Sequence, residues 1–98
     1  MDKQHVIQTL RAHESELHAA GIVHLSVFGS VARGEASEAS DVDLLAEFDM
    51  AKRHTLVSLG RLESQLSEIL GVKVDLSSKN WLKEPVRKQA VREAVLAF

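Results

Sequence analysis

The sequence predicts a small α/β (α+β) domain, a mixed β-sheet flanked by helices, in the order α-β-α-β-α-β-α. Three short stretches, near residues 22–28, 41–48 and 72–76, alternate apolar with polar side chains at the period of a strand. The segments around them repeat apolar residues every three or four positions, the period of a helix. Glycine or proline stands at several of the junctions, where helices end or begin. With 98 residues, 45% of them hydrophobic and 27% charged, the chain is expected to fold as one domain, 1–98, around one core.

Asp2 suits the N-cap of a first helix, in which Val6, Ile7, Leu10 and Leu17 recur near the helical interval as far as Ala20-Gly21. Ile22 to Phe28 reads as the first strand, with Val23, Leu25 and Val27 set against His24 and Ser26. It stops at Gly29. Between Ser30 and Ser40 the composition favours a helical turn or two. Asp41 to Phe48 forms the second strand, with Val42, Leu44, Ala46 and Phe48 on one face and Asp41, Asp43, Leu45 and Glu47 on the other.

From His54 onward, Leu56, Leu59, Leu62, Leu66, Ile69 and Leu70 mark a long amphipathic helix, and Gly71 falls where a left-handed cap would end it. Val72, Val74 and Leu76 alternate with Lys73 and Asp75 in a third strand, followed by a Ser-Ser-Lys-Asn loop. Pro85 fits the first turn of a last helix whose apolar side comprises Val86, Ala90, Val91, Ala94, Val95 and Phe98.

Composition narrows the function. Without cysteine there is no disulfide framework and no thiolate metal site. No apolar stretch is long enough for a membrane span or a signal peptide, so no membrane association and a cytoplasmic location are expected. A net charge of −2 lacks the basic excess of duplex nucleic-acid binders. The five histidines form no ligand pattern: His13 and His18 lie on different helix faces, and His5, His24 and His54 are isolated.

The stretch GSVARGEASEASDVD, residues 29–43, carries the chemistry. Asp41 and Asp43 open a strand, a poor place for aspartate, and point to the same face about 6.6 Å apart. Like charges so placed call for a cation. Asp75 joins them if the third strand lies beside the second, and an all-carboxylate set selects a hard ion such as Mg²⁺, which retains positions for water and phosphate. If strands one and two are antiparallel, Gly29-Ser30 adjoins these acids. Glycine then admits a phosphate close to the backbone, and the Ser30 hydroxyl and the amides that follow donate to it. Arg33, about one helical turn on, can meet a phosphate or the acceptor. Two metal ions roughly 3.5–4 Å apart, with Asp75 as general base, would suit nucleotidyl transfer.

Gly29-Ser30, then ten residues, then Asp41-Val42-Asp43, set within FGSVARGEASEASDVDLLAEF, resembles the signature of the polymerase-β-like nucleotidyltransferases. It resembles most their smallest members, the minimal nucleotidyltransferases (MNT, MntA-like antitoxins). Arg33-Gly34 and Ser40-Asp41 match as well, and the likeness spans nearly the whole chain. The resemblance implies that Asp41, Asp43 and Asp75 are the metal acids and that Gly29 and Ser30 bind the triphosphate. It further implies an antitoxin partnered with a HEPN-domain RNase toxin in a hetero-oligomer, transferring AMP from ATP to a toxin tyrosine with Mg²⁺. Val31 departs from the pattern, since many relatives carry a basic residue there.

The residues after the second strand are used up by one helix, one strand and one helix, so an acceptor presented by another protein is expected. The alternatives are a catalytically silent antitoxin that masks the toxin surface, and an enzyme acting on a small molecule or an RNA end. Taken singly, Gly-Ser is a common turn and Asp-x-Asp a solvated strand end; their joint spacing makes the site. Asp75 has Lys73 as an alternative partner. The leucine stripe suits a core, with a partner groove as the alternative. Trp81 and Leu82 either pack inward or anchor a partner, and Lys83, Arg87, Lys88 and Arg92 form a basic face.

Overall fold

The structure, a computed structural model, describes residues 2–35, 41–49, 55–79 and 81–98. Nine elements follow in order among the described residues: α1 (Lys3–Ala12), α2 (Glu14–Ala19), β1 (Ile22–Phe28), α3 (Gly29–Arg33), β2 (Val42–Phe48), α4 (Leu56–Leu70), β3 (Val74–Ser78), α5 (Glu84–Glu93) and β4 (Val95–Leu96). The sheet order is β3-β2-β1-β4. Strand β1 runs antiparallel to both β2 and β4, whereas β2 and β3 are parallel, so the sheet is mixed.

Local signals set the helix ends. The Asp2 carboxylate accepts the His5 amide at 2.8 Å, satisfying one of the free donors of the first turn of α1. Thr55 and Ser58 form a reciprocal capping box at the start of α4, and Gly71, at φ 71°, closes it in the left-handed region. His54, expected at the start of this helix, lies outside the described residues, as do 36–40 and Asn80 of the loop after β3.

One face of the sheet packs against the helices. Val6 and Leu10 of α1, Leu17 of α2, and Leu62, Leu66 and Leu70 of α4 bury against Leu25, Val27, Val42, Leu44 and Val74. Leu59 and Ile69 pack against the same cluster, so the leucine stripe is core. The other sheet face carries Asp43 and Leu45, as the alternation predicts. No helix among the described residues is long and apolar enough to cross a membrane.

Several expectations are corrected, among them the third strand, which runs from Val74 through Ser77 and Ser78 of the expected loop. The first helix is two, broken at His13. In a continuous helix the His13 amide would bond the Thr9 carbonyl, but His13 Nδ1 engages that oxygen at 2.9 Å and the amide turns to the Leu10 carbonyl. In β1 the register steps from Ile22↔Phe48 to His24↔Glu47, so Val23 is an extra residue turned outward, and Ile22, Leu25 and Val27 face the core.

The last helix ends at Glu93, because the following residues are drawn to the free edge of β1. Val95 and Leu96 pair with Val27 and Ser26, and the Ala97 amide donates to the Leu25 carbonyl at 2.8 Å. The sheet therefore has a fourth strand. Within α5 only Ala90 is buried, and Val86 (55%) and Val91 (45%) are exposed. Trp81 is also largely exposed.

Candidate active site

Strand pairing assembles the site from three distant parts of the sequence. Asp43 is the register partner of Phe28 on one side and of Asp75 on the other. Gly29 follows Phe28 and so stands against the Asp43 side chain. Its φ of 72° lies in the left-handed region, and a Cβ there would sit 3.1 Å from Asp43 Cγ and 3.3 Å from Asp43 Cβ. Only glycine lets the backbone approach Asp43 this closely. Ser30 is the next residue of α3, half-buried at the same end of the sheet.

The electrostatics are those of crowded carboxylates. Burial, then Asp75, then Asp41 push the Asp43 carboxyl above its ordinary value, and Arg33 opposes them. Asp41, more exposed, meets Lys73 Nζ at 3.8 Å. Lys73 therefore pairs with Asp41, not with Asp75. The three acids are neighbours without forming a closed trio: among the described residues no three His, Cys, Asp or Glu side chains stand close enough to grip one ion. Mutual repulsion and the pull of Lys73 on Asp41 act in that direction.

This arrangement fits a hard divalent cation. The donors are carboxylate oxygens, the central one is half-buried between two like charges, and a cation between them would remove that repulsion. Turning Asp41 from Lys73 toward Asp43 is a side-chain rotation on an exposed residue.

Arg33 stands on the other side of Gly29. Its Nε donates to Glu35 at 3.0 Å, and its Nη1 donates to Glu93 of α5 at 3.0 Å. Phe28, Gly29, Arg33, Gln89 and Glu93 line a cleft of about 200 Å³ between α3 and α5. A second cleft of about 270 Å³ continues on the same sheet face, over Leu45 and beneath Val91, Ala94 and Leu96. Glu93 is the charged neighbour that the sequence did not disclose, and Lys73, weighed there against Asp75, meets Asp41 instead. Glu93 is 60 residues from Arg33, and only the fold joins them.

Comparison with known proteins fits this geometry. Residues 8–97 match the nucleotidyltransferase domain family. The chain belongs to that family. This nucleotidyltransferase is 42% identical over 87 residues to the protein adenylyltransferase MntA of Thermococcus cleftensis, covering 88% of this chain and 86% of the relative. It is similar to a solved chain described as a minimal nucleotidyltransferase, with 43% identity, a TM-score of 0.75, and coverage of 97% and 95% of the two chains. The fold is also shared, at 16% identity and a TM-score of 0.62, with a chain from the complex of tri-AMPylated Shewanella oneidensis HEPN toxin with MNT antitoxin. That match covers 90% of this nucleotidyltransferase and 71% of the other chain. The mixed four-stranded sheet is thus the minimal nucleotidyltransferase fold, and the chain is an enzyme of nucleotidyl transfer.

Proposed function

We propose that this nucleotidyltransferase is the antitoxin of a two-component toxin–antitoxin module. It transfers AMP from ATP to a tyrosine hydroxyl of a HEPN-domain toxin, with which it forms a hetero-oligomer. The observation that carries the reading is the register pairing of Asp43 with Asp75 beside Gly29. Support for a protein acceptor comes from the similarity to the Thermococcus adenylyltransferase. Support for the partner comes from the shared fold with a chain of the AMPylated toxin complex.

Asp41, Asp43 and Asp75 would hold Mg²⁺, two ions by the spacing of such sites, which when bound acidify the attacking hydroxyl and neutralise charge on the leaving pyrophosphate. The protein's own groups do the rest. Gly29 keeps the cradle backbone clear of a side chain, and the Ser30 hydroxyl donates to the distal phosphates. Arg33 brings a fixed positive charge to the same phosphates. Asp75, on the strand beyond Asp43, takes the proton of the acceptor hydroxyl. The acceptor oxygen bonds to the α-phosphorus as the bond from that phosphorus to the bridging oxygen of the β-phosphate breaks. Pyrophosphate leaves on the Gly29 side.

The test is incubation with α-labelled ATP, Mg²⁺ and the protein encoded by the adjacent reading frame, once that frame is shown to encode a HEPN-type protein. A mass gain of one or more AMP units on a tyrosine of that protein, lost in Asp41→Ala and Asp43→Ala, is the expected result. Neutralisation of the toxin by those two variants without any mass gain would instead establish an antitoxin that acts by binding alone.

A further inference from the structure

Glu93 sits where a helix disfavours it. It is the last residue of α5, at the negative end of the helix dipole, where a carboxylate is destabilising and a cation is preferred. Its side chain is nevertheless well covered, with 24% exposure against 66% for Glu35, the other carboxylate on Arg33. Both its oxygens are engaged: Oε2 accepts from Arg33 Nη1 at 3.0 Å, and Oε1 faces Gln89 Nε2 one helical turn earlier at 3.5 Å. The cost to the helix is compensated by what the carboxylate holds.

What it holds is one side of the Arg33 fork. Glu35 takes Nε–H and Glu93 takes one hydrogen of Nη1, which among the described residues leaves the other Nη1 hydrogen and both hydrogens of Nη2 for a further acceptor. Arg33, Glu93 and Gly29 line the same cleft, and the Arg33 charge reaches Asp43, whose carboxyl it pulls down against the neighbouring acids. The guanidinium is thus fixed between α5 and the acid cluster. Glu35 belongs to the same local turn as Arg33, whereas Glu93 ties the cradle helix to a separate element.

We propose that Glu93 is a positioning residue for nucleotide binding. It fixes the Arg33 guanidinium so that its remaining donors meet the β- and γ-phosphates of a nucleoside triphosphate seated at Gly29-Ser30, and so removes the ordering of a long flexible side chain from the cost of binding. The inference rests on the nucleotidyl-transfer reading of the site.

The experiment measures the affinity of the full chain for ATP with Mg²⁺, and separately for AMP with Mg²⁺, by isothermal titration. The variants are Glu93→Ala, Glu93→Gln, Arg33→Ala and the double Arg33→Ala/Glu93→Ala, with melting temperatures taken for each. Glu93→Ala is expected to weaken ATP binding about tenfold, the scale on which groups that orient a ligating residue act. AMP, which lacks the phosphates that Arg33 meets, should bind as it does to the wild type. Glu93→Gln, which keeps an acceptor oxygen, should recover most of the loss. The double variant should bind ATP no more weakly than Arg33→Ala, because Glu93 acts only through Arg33.

Equal weakening for ATP and AMP, or full additivity in the double variant, would overturn the proposal and leave Glu93 a structural residue. Normal ATP binding that is indifferent to Glu93→Ala would overturn it as well, without touching the nucleotidyl-transfer reading. A wild-type chain that binds no ATP in the presence of Mg²⁺ would sink both.

Discussion

The Glu63 carboxylate of α4 accepts a hydrogen bond from the Leu76 backbone N–H of β3 at 3.0 Å. Ser67 Oγ, one turn further along the helix, accepts from the Val74 N–H at 3.1 Å. β3 is an edge strand, and these amides alternate with those directed at β2, so α4 caps the rim that another chain could pair with. Glu63→Ala leaves a partly buried donor unpaired. It should cost about 1 kcal/mol, a fall of about 4–8 °C in melting temperature, and raise the fraction of oligomers on size exclusion. Glu63→Gln, with its carbonyl oxygen, should restore both.

Gly29 and Gly34 separate backbone strain from steric conflict. Both have positive φ, 72° and 74°, so alanine at either costs about 1 kcal/mol for the left-handed conformation. At Gly34 nothing among the described residues lies within 4 Å of an added Cβ, whereas at Gly29 it would run into Asp43. Gly29→Ala should therefore lose roughly 1–3 kcal/mol more in urea unfolding, and it should abolish ATP binding. Gly34→Ala should keep that binding.

Asp43→Asn should stabilise the protein in the presence of a chelator. The folded-state pKa of Asp43 is raised, so its contribution to stability is fully present below the ordinary value of 3.8 and is lost as pH rises through the folded value. At pH 7 the ionised group is a cost that asparagine removes. The site is open to water, so screening limits the gain to about 0.5 kcal/mol, roughly 2–4 °C. The gain should shrink on acidification and vanish below pH 3.8 in thermal melts across that range.

Asp75→Asn should separate chemistry from binding. Asp75 lies on the far side of Asp43 from the Gly29 cradle, so its loss should leave the affinity for ATP nearly intact. Transfer to the acceptor, followed by single-turnover labelling, should slow by at least about a hundredfold, the lower scale of general-base catalysis.

Much of this architecture was legible in the sequence, because β2 obeys strict alternation and α4 carries both a leucine stripe and a terminal glycine. The spacing from Gly29-Ser30 to Asp41-Val42-Asp43 pointed to one half of the candidate site, and the antiparallel pairing of β1 with β2 brings the two ends of that stretch together. What escaped depended on competition between local and distant partners. Val95 and Phe98 continue the apolar period of α5, and only the open edge of β1 turns that segment into a strand. Nothing at His13 resembles a helix breaker until its own ring takes the Thr9 carbonyl. Val23 fits the alternation by residue type, and the bulge that turns it out is set by the register against β2.

The fourth strand also bears on how the protein is made. β1 is a central strand, flanked by β2, which follows it closely, and by β4, which comes some seventy residues later. On a ribosome, one side of β1 stays unpaired until residues 95–98 clear the exit tunnel, and the cradle at its end is held by only half of its sheet for that time. Ala97 is fully buried and its carbonyl is gripped by Arg11 at 2.6 Å, so closure of the C-terminal segment also locks the first helix in place. The pairing of β1 with β2 joins segments close in sequence, whereas the pairing with β4 closes a far longer loop, so the contact that completes the sheet is the one expected to form later.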